Sequence, residues 1–216
     1  MKTFIRTLSL LLFCLTLNAQ TVVPELSILK QGNARFIRSK GMQSSTSQKD
    51  RDNLLNGQKP KSIILSCSDS RISPEIIFDQ KLGEMFVVRT AGEALDSVSI
   101  ASIEYAVEHL GTKLLVVLGH EDCGAIKAAV KSLDGTSLGS KHLDKLAGDI
   151  RPRIKKIMKG KTSASPLYAD EAIENAKGIV KELKDRSKII KEKEEKGELN
   201  IVYGIYHLKS GVVNFL

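Results

Sequence analysis

The sequence predicts an α/β protein, a mostly parallel β-sheet covered by helices. Three observations carry that prediction. Apolar runs of strand length recur at 62–66, 84–90, 113–118 and 200–206. Segments with helical apolar spacing lie between them, and such alternation marks parallel strands joined by crossover helices. Residues with metal-binding chemistry stand directly beyond two of the runs, where open α/β sheets collect their ligands.

Taken in order, residues 24–39 set Leu26, Leu29, Phe36 and Ile37 at spacings that suit a helical arm. Residues 41–59 are polar and include Ser44-Ser-Thr-Ser47, which predicts a loop with a short helical piece. The 62–66 and 84–90 runs are the first two strands. Residues 98–110 fit a helix through Ile100, Ile103, Val107 and Leu110, and 113–118 is the most strand-like stretch. Another helix starts at Gly124 and runs to 133. Residues 170–195 predict one long charged helix whose buried stripe is Ile179, Val180, Leu183 and Ile190. Its Lys-Glu run reads as a solvated face with pairs such as Glu192–Lys196. After the 200–206 strand, Ser210-Gly211 turns the chain into a last strand at 212–216.

Residues 1–19 stand apart from that fold. Lys2 and Arg6 give a basic start without acids, 8–17 is apolar, and Asn18-Ala19-Gln20 follows. This is the layout of a secretory signal peptide cleaved after Ala19, and the apolar run is too short to span a membrane. Bulky Phe13 ahead of Cys14 argues against lipid attachment there. The expected organisation is a signal peptide at 1–19, an N-terminal helical arm and loop at 20–60, and a zinc-binding α/β catalytic domain at 61–216. The expected address is outside the cytoplasm, the periplasm first and secretion second. Losing Lys2 and Arg6 would lower the formal net charge from +8 to +6. The remaining bases are scattered among acids without interleaved aromatics, so no nucleic-acid partner is expected.

The chemistry lies in Cys67-Ser-Asp-Ser-Arg71 and Gly119-His-Glu-Asp-Cys-Gly124. Cys67, His120 and Cys123 supply two thiolates and an imidazole, three of the four ligands of a tetrahedral zinc. Three protein ligands leave a position open for chemistry, whereas structural sites are closed by four. Cys67 follows the first strand and His120 the third run, so two strands flanking a switch point would bring them together. Cys123 would open a helix, where unpaired N–H groups and the dipole favour a thiolate, with Gly119 and Gly124 permitting a tight turn. Asp69 could be a fourth ligand or accept a hydrogen bond from metal-bound hydroxide. Arg71 could clasp that carboxylate bidentately and hold it off the metal. A competing reading is a Cys67–Cys123 disulfide, suggested by export. It explains neither His120 nor the Asp-x-Arg pair.

With those residues the chain resembles the β-class carbonic anhydrases, from about Leu29 to the C-terminus. The resemblance is carried by Gly32-Asn-Ala-Arg-Phe36, by Cys67-Ser-Asp-Ser-Arg71 with Pro74-Glu75, by Phe86-Val-Val-Arg89 with Ala91-Gly92, and by Gly119-His-x-x-Cys-Gly124. It implies a mostly parallel four-stranded sheet with an added antiparallel edge strand at 212–216, helices on both faces and the N-terminal helical arm. It implies Zn2+ on Cys67, His120 and Cys123, with Asp69 as fourth ligand in a closed state. The implied reaction is reversible hydration of carbon dioxide to bicarbonate and a proton, by zinc-bound hydroxide oriented by the Asp69–Arg71 dyad. A homodimer or higher homo-oligomer is implied, its arms embracing the neighbour, and no membrane span.

Two departures stand out. Many relatives read Arg-Asn-Ala-Gly-Asn where this chain has Arg89-Thr90-Ala-Gly-Glu93, so Glu93 is expected to add negative charge near the site and slow bicarbonate traffic. The chain has no Trp, which excludes a noncatalytic bicarbonate site built on that residue. His109 is expected to cap a helix C-terminus, and His142 and His207 to be ordinary surface or strand residues. Rival activities are hydrolysis of carbonyl sulfide or carbon disulfide at the same metal, and non-catalytic zinc binding, which needs neither Asp69 nor Arg71.

Overall fold

The computed structural model describes residues 23–41, 47–161 and 163–216; the expected leader, with Cys14, lies outside them. Four strands run parallel: β1 (Ser62–Cys67), β2 (Met85–Thr90), β3 (Leu114–His120) and β4 (Asn200–Tyr206). Their order is β2-β1-β3-β4, and β5 (Val213–Phe215) closes the edge antiparallel to β4. The expected sheet, with its antiparallel edge strand, is the observed one.

β1 and β3 are buried along their whole length. Successive side chains of a strand point to opposite faces, so a strand covered on both sides must be apolar throughout. On one face Ile63, Leu65, Leu115 and Val117 pack against α4 (Ser97–Glu108), α7 (Ala169–Arg186) and α8 (Lys188–Glu195). On the other, Ile64, Val116 and Leu118 meet Leu29 of α1 (Pro24–Ile37) and Ile77 of α3 (Pro74–Ile77). Each such side chain contributes about 1.5–3 kcal/mol on burial. A third cluster joins α5 (Gly124–Lys131) and α6 (Lys141–Met158) around Cys67 and Cys123.

The helical arm docks onto its own chain. Asn33 is buried, and its amide donates to the carbonyls of Ile77 and Gly211 while its Oδ1 accepts from the Val213 N–H. The polar loop contains α2 (Gln48–Leu54), started by a Ser47–Asp50 capping box. His109 is the C-cap of α4, as expected.

Two elements differ from expectation. The long helix at 170–195 is two helices, broken at Ser187 where the backbone is extended (φ −120°, ψ 111°). The Ser187 hydroxyl oxygen accepts the Ile190 N–H at 3.1 Å and its proton goes to Glu104 at 2.5 Å. A serine competes for backbone partners and so restarts the helix as an N-cap. α6 is an addition to the expected elements. Pro152 lies inside it and weakens the helical signal, although Ala147, Ile150, Ile154 and Met158 form a buried helical stripe.

Candidate metal centre

From β1 the chain crosses to β2 on one side, then returns as β3 on the other side of β1. The carboxyl ends of β1 and β3 therefore meet at the switch point of the sheet, where such folds bind ligands. Cys67 ends β1, His120 ends β3, and Cys123 is the N-cap residue of α5. One ligand atom from each lies within 4.8 Å of the other two, and all three residues are buried.

The glycines act differently from expectation. The tight turn is made by Asp122, in the left-handed region at φ 60°. Gly119 instead allows close packing, since a Cβ there would lie 2.8 Å from Ile205 Cδ1 and 3.4 Å from the Ala172 carbonyl oxygen. A Cβ on Gly124 would meet nothing within 4 Å.

The donor set fits zinc. His120 Nδ1 lies 2.7 Å from the Glu121 carbonyl oxygen, to which it can only donate. That tautomer presents the Nε2 lone pair, and Nε2 is buried without a hydrogen-bond partner. A buried polar atom left in that state is costly, and a cation relieves it. Cys67 and Cys123 are free thiols with their sulfurs 4.0 Å apart. A disulfide would need about 2.05 Å, whereas tetrahedral zinc with zinc–sulfur bonds of about 2.3 Å separates two sulfurs by roughly 3.8 Å. The disulfide reading does not match this geometry. The Cys67 thiol is pushed well down, first by the hydrogen bond from Cys123 and then by His120 and the Gly92 N–H. Cys123 is pushed up by the same bond and by burial. A metal ion bound by both sulfurs has to displace their protons.

Asp69 stands at the rim of the centre, outside the three-atom cluster. Arg71 clasps it with Nε to Oδ1 at 2.9 Å and Nη2 to Oδ2 at 2.8 Å, and the Arg71 N–H adds a third bond to Oδ1. The arginine beside it holds the Asp69 carboxyl well below the usual carboxylate range. Asp122 receives the other side of Arg71 at 3.3 Å and pairs with Lys127. Asp122 is thus an ion-pair partner of both cations. Arg89, at the end of β2, donates to the carbonyls of Cys67 at 3.0 Å and Asp69 at 2.8 Å, which fixes the ligand loop from beneath.

Glu93 departs from expectation. It is 2% exposed, points away from solvent and receives the Asn175 amide at 3.2 Å. Burial first, and the charge on Cys67 second, push its carboxyl well up and favour the neutral acid. It therefore does not line an anion path. His207 is bonded through Nδ1 to Glu121 at 2.7 Å and through Nε2 to Asn214 at 2.9 Å, which ties the ligand loop to the β4–β5 turn. Asn175 and the Glu121–His207 pair are contributions that the motifs alone do not single out, and Arg89 stands in the Phe86-Val-Val-Arg89 motif, which gave it no role. The signal for Asn175 was a polar residue on the apolar stripe of α7, four positions before Ile179.

Fold and site together define a metalloprotein of the open α/β type, with a buried Cys-His-Cys centre at the sheet switch point and a charged dyad beside it. A family profile described as carbonic anhydrase matches residues 62–213. A carbonic anhydrase of Mycolicibacterium smegmatis is 39% identical over 185 residues, covering 86% of this chain and 88% of that protein. The Coccomyxa β-carbonic anhydrase solved in complex with acetazolamide matches with a TM-score of 0.68 at 25% identity, over 88% of this chain and 86% of that one. A structure from a study of two tetrameric β-carbonic anhydrases of Sordaria macrospora matches at 0.63 and 24% identity, over 77% and 85%. The chain belongs to the carbonic anhydrases, in the β class, and is an enzyme of that activity.

Proposed function

We propose that this enzyme interconverts carbon dioxide and bicarbonate at a zinc ion held by Cys67, His120 and Cys123, with Asp69 and Arg71 directing the nucleophile. The observation that carries the reading is the convergence of two sulfurs and an unpartnered imidazole nitrogen within 4.8 Å at the sheet switch point. Zinc, when bound, lowers the pKa of a coordinated water toward neutrality and so supplies hydroxide.

The protein's residues do the rest. Arg71 keeps Asp69 ionised and takes both lone pairs of Oδ1 and one of Oδ2. The remaining lone pair, on Oδ2, can accept the O–H of the nucleophile, which turns the oxygen's free electrons toward the substrate carbon. The same clasp restrains Asp69 from the metal, so its role as a fourth ligand requires release from Arg71. Carbon dioxide is uncharged and needs no cationic anchor, whereas departing bicarbonate meets the positive edge of Arg71, whose side chain is 47% exposed.

We further place the working protein in the periplasm as a homodimer or higher homo-oligomer. The leader-like 1–19 segment supports the address, and the tetrameric Sordaria macrospora relatives support the assembly. Among the described residues no helix is long and apolar enough to cross a membrane.

The test is metal analysis of the mature protein combined with stopped-flow hydration of carbon dioxide, with carbonyl sulfide and carbon disulfide assayed alongside. One zinc per chain and rapid hydration are expected. A folded, metal-free protein with Cys67 bonded to Cys123 would overturn the reading, and faster turnover of a sulfur gas would move the substrate.

A further inference from the structure

We propose that Asn175 is a positioning residue of the metal centre, holding Gly92 by its carbonyl so that the N–H of the same residue stays aimed at the sulfur of Cys67; this rests on the zinc reading above and extends it to α7. Asn175 lies on the buried face of α7 with Glu171, Ala172, Ala176, Ile179 and Leu183, and it is fully buried. An amide there is unfavourable unless its donors and acceptor are used. All are used. Nδ2 donates to the Gly92 carbonyl at 3.0 Å and to Glu93 Oε2 at 3.2 Å, while Oδ1 accepts from Arg153 Nη1 at 3.0 Å. A guanidinium can only donate and a carbonyl oxygen can only accept, so the amide fits one way round.

The segment it grips needs gripping. Gly92 and Glu93 are both left-handed, at φ 60° and 55°, and Glu93 has a side chain that disfavours this region. That backbone turns the Gly92 N–H toward Cys67 Sγ at 3.3 Å. A hydrogen bond to a ligating sulfur fixes its direction and draws charge from it, which tunes the metal it binds.

The amide is oriented in turn. Arg153 of α6 crosses α7 where Gly178 leaves room, since a Cβ at that position would lie 2.7 Å from Arg153 Cδ. Its far nitrogen is anchored on Glu182 Oε2 at 2.5 Å. A relay thus runs from partly exposed Glu182 through Arg153 and buried Asn175 and Gly92 to Cys67.

The experiment compares wild type with Asn175→Asp, which keeps the size and the Arg153 acceptor but loses the donors, and with Asn175→Ala. Zinc affinity is read by competition with a chelator, and each protein is also loaded with cobalt to record its sulfur-to-metal charge-transfer bands. Both variants are expected to bind zinc about 10–100-fold more weakly and to shift the cobalt bands. Gly178→Ala, which displaces Arg153 without touching the amide, should move both readouts the same way by less, and it serves if the Asn175 variants fail to fold. Folded variants with wild-type affinity and unshifted bands overturn the proposal alone. Wild type that takes up neither zinc nor cobalt overturns the zinc reading with it.

Discussion

Toward solvent the metal centre is bounded by Asp69, Arg71 and Asp122; toward α6 and α7 it is bounded by Gly92, Glu93 and Asn175, all buried. The solvent side consists of ionised groups held as such: Arg71 keeps the Asp69 carboxyl down, and Lys127 and Arg71 do the same for Asp122. Ion pairs this exposed are worth little to folding, so their arrangement is explained by chemistry. The inner side also has a carboxyl, but burial pushes Glu93 up, toward its neutral form. There the loss of a partner leaves a polar group stranded, and structure is what suffers. One centre thus has a wet face that handles charge and a dry face that holds geometry.

Removing the residue on which both faces converge should have the largest effect. Cys67→Ala deletes a ligand and the acceptor of the Gly92 N–H together. Zinc by elemental analysis should fall far below one per chain, and hydration should drop to the uncatalysed background. Stoichiometric zinc with substantial activity would mean that the centre is built on other donors.

The next effect separates the faces. Asp69→Asn keeps the shape but weakens the acceptor offered to the nucleophile, and kcat/KM should fall about 10²–10³-fold with zinc retained. Loss of zinc in this variant would break the division between faces. The pH dependence sharpens the test. Asp69 has a depressed value, so the stability its ion pair with Arg71 contributes is complete above the ordinary carboxylate range and is lost only as the pH falls into strong acid. It cannot titrate between pH 6 and 9. The hydration rate in that window should still rise with pH, because two thiolates give zinc more negative charge than imidazoles and raise the pKa of its water. In Asp69→Asn the charge of Arg71 is uncovered, which favours deprotonation nearby, so the midpoint should move to lower pH. A midpoint that moves upward would contradict the assigned roles.

The solvent face was legible in the sequence because it is local. Asp69 and Arg71 are two positions apart and next to Cys67, and the metal ligands directly follow strands whose apolar runs are unmistakable. The inner face is not local: Asn175 lies 83 positions from Gly92 and 22 from Arg153. No short pattern joins them, and only the packing of α6 and α7 over the sheet brings them together. Glu93 shows the same limit. Its charge was legible and its direction was not, because a left-handed backbone turned it inward. Ser187 was hidden for a different reason, since the apolar stripe continues to Ile190 and conceals the break between two helices.

That break provides the smallest predicted effect and a control for the inner face. Ser187 ends α7, the helix that carries Asn175, and its hydroxyl caps α8 through the Ile190 N–H and serves Glu104. Ser187→Ala removes the cap, at a cost of about 1–2 kcal/mol, and thermal unfolding should come lower by roughly 2–8 °C for a chain of this size. Zinc affinity and hydration should not change, because none of the contacts of Ser187 leads to Gly92. A variant that loses zinc as Asn175→Ala is expected to would show that any loosening of α7 disturbs the metal. The inner face would then act through the whole helix and not through one amide.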